Sequence, residues 1–274
     1  MPRKIPVNDL FQRRIDKWID EDPSSLLTRQ VERATAPLHQ LVALLLPNLL
    51  IKEVVDKTLW AAEVLTDRDD ILDSLKAGSV EEIKTAKVDR CDALADGVHA
   101  WAIGAAAALG AWDLVGPLGT APALVSLFTL SFRTIKKIGL CYGYATDSHF
   151  ENLIVLEIFA SASSLYHRDK VQAIKTIETL MRQPTVDLTN LSKEAVEATI
   201  ERLSHNLSSN LTRRRSLSSV PAMGALVGGS TNAWLLKDVG WAARNIYALR
   251  RIHEDKMRET ATKQSEEVIL PKAA

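Results

Sequence analysis

Between Arg90 and Arg133 the chain carries no lysine or arginine, and beyond Asp96 the only formal charge in that interval is Asp113. A stretch of this kind must be withdrawn from bulk water, either inside a core or against another apolar surface. Its first arm, Val98 to Val115, is crowded with small residues, including Gly104, Ala105, Ala106, Ala107, Ala108, Gly110 and Ala111, and carries Trp112. Gly116-Pro117-Leu118-Gly119 breaks it, and beyond Pro122 a second arm runs from Ala123 to Phe132. Together they read as an apolar helical hairpin. Each arm is near or below the roughly 20 apolar residues that cross a bilayer core, and Asp113 at depth would be costly. A double span is therefore not expected. Gly104 with Ala108, and Ala106 with Gly110, have the spacing that lets helices approach closely, in lipid or in a soluble core alike.

A second uncharged stretch, Ser216 to Leu236, places Gly224 and Gly228 at GxxxG spacing and continues to Asn232 and Trp234. Arg213-Arg214-Arg215 stands immediately before it. Such a basic run either faces water or grips anionic headgroups. The two apolar stretches likewise have two readings, as buried core or as lipid-contacting surface.

Elsewhere apolar residues recur at three and four spacing, and alternating β-branched runs bounded by turn dipeptides are nearly absent. The expected fold is all-α, a multi-helix bundle around the central Gly/Ala-rich hairpin. Residues 1–22 read as an amphipathic N-terminal arm with Leu10, Ile15 and Trp18 on one stripe, residues 23–262 as the helical domain, and 263–274 as a flexible polar tail. Helices are expected at Leu26–Leu46 and Leu49–Leu65. Ser79-Val80-Glu81-Glu82 has the form of a capping box opening a long helix towards Trp112. Further helices are expected from near Asp147, from near Asp169 to before Pro184, from Ser192, and from after Pro221 to beyond Arg250.

Lysine plus arginine and aspartate plus glutamate are equal, at 34 each. The chain as a whole therefore lacks the field that draws proteins to nucleic acid, and no nucleic-acid partner is expected. Cys91 and Cys141 form no CxxC and no disulfide framework. The start of the chain mixes charge and proline where an export signal needs an apolar run.

Asp89, Asp92, Asp96 and His99 project from one helix face at intervals of three, four and three. Three readings compete: a solvated face, a polar network at the mouth of the core, or a metal site on Asp92, Asp96 and His99. No metal or other cofactor is expected, because the Glu-x-x-His repetition of bundle metalloproteins is missing. Glu157 lies in a helix apolar nearly all round, which demands burial with a partner such as Arg133, Lys136 or Arg244. His253-Glu254 lacks the second histidine of a zincin helix, and Gly228-Gly229-Ser230-Thr231-Asn232 lacks the closing glycine of a nucleophile elbow.

Cys141-Tyr142-Gly143-Tyr144 directly follows the hairpin, with Asp147 and Glu151 beyond it. Near the other end stand Pro221-Ala222-Met223-Gly224-Ala225, Asn232-Ala233 and Ala243-Arg244. These two motifs, in this order, resemble the EcsC family over about Trp60 to Arg251, with Ala145 standing where the family usually has Asp. Tyr142 and Tyr144 are expected to anchor the bend, with Gly143 supplying the backbone freedom. The resemblance implies a link to ABC transporters. The function expected is therefore non-catalytic scaffolding or regulation of a membrane transport process. The expected location is the cytoplasm, peripheral at the inner face of the membrane, and the partner a membrane surface or an integral transporter. The alternatives are a metal-dependent hydrolase on Asp92, Asp96 and His99, and a soluble interaction module.

Overall fold

Among the described residues the three-and-four periodicity is realised as helix. In the computed structural model the described residues are 13, 14, 16, 17, 48–113, 121–145, 147–163, 167–182, 198–200, 203 and 231–269, and among them about 87% are helical with no strand, so the fold is all-α. The helices are α1 (Asn48–Val64), α2 (Asp69–Leu75), α3 (Val88–Asp113), α4 (Ala121–Cys141), α5 (His149–Ser163), α6 (His167–Arg182) and α7 (Thr231–Ile269). Helical turns also occur around Arg14 and at 198–200.

α7 packs along α3, α4 and α5, while α4 also receives α1, α3 and α5, and α6 lies on α5. α4 is central because it is buried around most of its circumference: Phe128, Phe132, Ile135 and Ile138 are fully buried on one face, and Leu130 and Leu140 are buried on the other. Phe128, Phe132 and Phe159 meet edge to face, with centroids 5.3 Å apart for Phe128–Phe159 and 4.9 Å for Phe132–Phe159. This geometry brings ring edges to ring faces and adds specificity to the burial.

The long helix begins later than the capping box suggests. Ser79 Oγ does accept from the Glu82 amide at 3.3 Å, and the Glu82 carboxylate takes the Gly78 amide at 2.6 Å. What they open is a single 3₁₀ turn, Glu82–Thr85, which ends because Ala86 is extended at ψ 153. α3 then starts afresh at Val88. At α5 the cap is Ser148 rather than Asp147: Ser148 Oγ accepts from the Glu151 amide at 3.1 Å, while Asp147 pairs with Arg68 at 3.0 Å. α7 is helical to Ile269 and so continues into the segment expected to be a flexible tail.

The small residues of α3 divide between two faces. Ala102 and Ala106 are fully buried, whereas Gly97, Ala100, Gly104, Ala107 and Ala108 are exposed. A Cβ added at Gly104 would meet nothing within 4 Å. The close helix approach expected at Gly104 and Ala108 is therefore not made there. It occurs between α3 and α7, where Gly240 lies against His99. Gly110, Trp112, Pro122, Asn232 and Trp234 lie on described helix backbone. Gly116, Pro117, Gly119, Gly224, Gly228 and Arg213-Arg214-Arg215 lie outside the described residues, as does the expected helix Leu26–Leu46. No helix among the described residues is long and apolar enough to cross a membrane.

Candidate functional site

α3 and α7 run together with Asp92 at their junction, and three side chains converge on its carboxylate. The Tyr142 hydroxyl donates at 2.6 Å, Arg14 Nη1 at 2.9 Å and Arg244 Nη2 at 3.0 Å, with Arg244 Nε at 3.3 Å. Arg244 Nη1 also pairs with Asp96. Arg14 Nε donates to Asn245 Oδ1 at 2.7 Å, so the N-terminal segment is tied to α3 and α7 at once. Both guanidiniums also contact the Trp241 ring, each 5.4 Å from its centroid.

Burial alone would raise the Asp92 pKa, but the hydrogen bonds from Arg14, Arg244 and Tyr142 outweigh it and hold the carboxyl below its usual value. Burial, reinforced by the Asp92 charge, pushes the Tyr142 phenol up. Asp92 is thus a charged acceptor and Tyr142 a neutral donor. His99 is buried one turn along from Asp96, its Nε2 2.9 Å from the Lys237 carbonyl oxygen. Burial, then the nearby Arg244 charge, lowers its pKa, so the neutral ring donates through Nε2.

The side chains considered as metal ligands are therefore engaged otherwise. Two arginines hold Asp92, Arg244 also reaches the largely exposed Asp96, and His99 faces a backbone carbonyl. Asp89 is exposed. Among the described residues no group of three or more His, Cys, Asp or Glu side chains is arranged to hold a metal ion.

A second polar centre lies on the other side of the bend. Gly143, at φ +84, turns the chain between α4 and α5, and a Cβ there would come within 2.7 Å of Lys84 Cγ and 3.1 Å of the Val80 carbonyl oxygen. Glycine is thus required for both reasons. The turn sends Tyr142 towards Asp92 and Tyr144 towards α7, and both rings are buried. Tyr144 stacks on Tyr247 at 5.5 Å, and the Arg250 guanidinium sits 4.0 Å above Tyr144. Arg250 forms a two-pronged pair with Glu151, at 2.7 and 2.9 Å. Burial disfavours the Arg250 charge, but Glu151 overrides it and raises its pKa.

Lys136, with no side-chain exposure, bonds Asn152 at 2.7 Å and Glu63 at 3.4 Å, joining α4 to α5 and α1. Burial lowers its pKa. Glu157 is buried as expected and accepts from Thr199 Oγ1 at 3.2 Å. Arg133 turns outward: its Nε donates to the Leu65 carbonyl oxygen at 2.9 Å and its guanidinium lies 5.0 Å from the Trp101 ring centroid. Cys91 and Cys141 are free and buried, and burial raises both thiols.

Arg14, Asn245, Tyr247 and Arg250 were missed by sequence reasoning, and Glu151 was noted only as part of the motif beyond the bend. Arg250 carried a faint signal, because it follows the buried run Ile246-Tyr247-Ala248 one turn after Tyr247. Arg14 carried none beyond its place on an amphipathic arm.

These features define an all-helical bundle protein in which arginines and carboxylates pair in mutually neutralising clusters around a Tyr-Gly-Tyr bend. The model of the EcsC protein family matches residues 11–252, and the chain belongs to that family. No curated protein and no solved structure matches the chain.

Proposed function

We propose that the chain is a non-catalytic helical protein that binds the inner face of a membrane peripherally and scaffolds or regulates transport there. One observation carries this reading. Trp60 is 70% exposed and Trp101 55% exposed, with Val64 and Leu65 also open to solvent. Trp60 and Val64 share a face of α1, and Arg133 links Leu65 to Trp101. The adjoining face of α3, from Gly97 through Gly104 to Ala108, bears no charge. Tryptophan with aliphatic neighbours at a water boundary suits the headgroup region of a bilayer, where an apolar ring and a polar edge are both satisfied.

The internal charges support the same reading. Asp92 is held ionised by arginines, and general acid–base work at neutral pH calls for a carboxyl poised near that pH. The hydrolase alternative on Asp92, Asp96 and His99 therefore has its acid and its ligands already committed.

Flotation of the purified chain with liposomes, with and without anionic lipid, tests the proposal. Co-flotation that Trp101→Ala and Trp60→Ala together abolish is the expected result. A chain that stays wholly in the soluble fraction with every vesicle composition would overturn it.

A further inference from the structure

We propose that Arg133 is the headgroup-binding residue of this surface, gripping the phosphate of an anionic phospholipid while Trp101 and Leu65 sit at the boundary between headgroups and acyl chains. The proposal rests on the membrane reading above and adds a site to it. Arg133 stands between an exposed indole and an exposed leucine, with its ring contact on one side and its Nε committed to the Leu65 carbonyl oxygen. Among the described residues no carboxylate pairs with it, whereas Arg14, Arg68, Arg244, Arg250 and Arg251 each have one. The Nε bond and the ring contact restrain the guanidinium and leave its terminal nitrogens for a ligand. A planar, pre-oriented guanidinium suits two-pronged phosphate binding, and fixing it beforehand lowers the ordering cost of association. An unpaired cation set in an apolar patch is complementary to a surface that is apolar within and anionic at its rim.

Vesicles of phosphatidylcholine alone, and of phosphatidylcholine with phosphatidylglycerol, distinguish the possibilities when titrated against Arg133→Gln, Arg133→Lys and the control Lys256→Gln, an exposed α7 residue away from the patch. Arg133→Gln is expected to bind the anionic vesicles about fivefold more weakly, the factor equivalent to about 1 kcal/mol for one basic residue at such a surface. Arg133→Lys, which keeps the charge but not the fork, is expected to recover less than half of that loss, and Lys256→Gln to change little. Unchanged far-UV circular dichroism and melting temperature show that the variants are folded. Wild-type-like binding by either Arg133 variant, or an equal loss in Lys256→Gln, overturns the site and leaves the membrane reading standing. Failure of the wild type to bind any vesicle removes both. A stable dimer that shields Trp101 from a soluble quencher overturns the lipid assignment in favour of a second copy of the chain.

Discussion

Gly240 lies so close to His99 that a Cβ built on it would stand 2.0 Å from His99 Cδ2. The glycine of α7 is the socket into which the imidazole of α3 fits, and this contact sets the spacing of the two helices. Gly240→Ala should destabilise the fold by about 1–3 kcal/mol through overpacking, whereas Gly104→Ala, in open space, should stabilise it by about 0.5–1 kcal/mol through helix propensity. Urea melts of the two variants check the opposite signs. A destabilised Gly104→Ala would show that this face of α3 is covered.

The same imidazole makes stability depend on pH. Its folded pKa is lowered from 6.5, so the native state binds fewer protons than the unfolded chain below that value. The stabilisation is complete above about pH 6.5 and is lost as pH falls through the lower folded pKa. His99→Gln, whose amide can still donate to the Lys237 carbonyl, should flatten the stability profile of denaturant melts between about pH 7 and pH 5. A profile of unchanged slope would place the titrating group elsewhere.

Asp92→Asn leaves Arg14 and Arg244 facing each other without their shared carboxylate. Because Asp92 and the two arginines keep some solvent contact, the expected cost is about 2–3 kcal/mol rather than that of a fully buried pair. Arg244→Gln in the Asp92→Asn background should cost much less than it does alone, since the two act through one cluster. Additive effects in a double-mutant cycle would contradict the network.

Arg250→Met removes a guanidinium whose side chain is 5% exposed and strands Glu151, itself only 10% exposed. An uncompensated buried carboxylate costs about 3–5 kcal/mol. The double variant Arg250→Met with Glu151→Leu should recover most of that loss in thermal melts, because an apolar pair needs no counter-ion.

Much of the architecture was legible because periodicity reports local structure. Asn48–Val64, His149–Ser163 and His167–Arg182 fall close to where apolar spacing and polar starts place them. The Tyr-Gly-Tyr bend was readable for a similar reason, since only glycine tolerates φ +84 there. Periodicity does not say which way a face points. Gly104 and Ala108 share a face as expected, but that face looks outward, because the packing partner of α3 is selected by His99 and Gly240. The polar clusters were the least legible. Asp92 was visible as a charged position on α3, but its donors come from Arg14, Tyr142 and Arg244, which only the tertiary fold assembles.

The bond from Arg14 to Asn245 spans 231 positions. During synthesis, when the amino-terminal part emerges first, Asp92 and Tyr142 can meet well before Arg244 has left the ribosome. The cluster therefore closes only when the final helix arrives, and a chain broken off before α7 keeps its first segment deprived of Asn245 and Trp241.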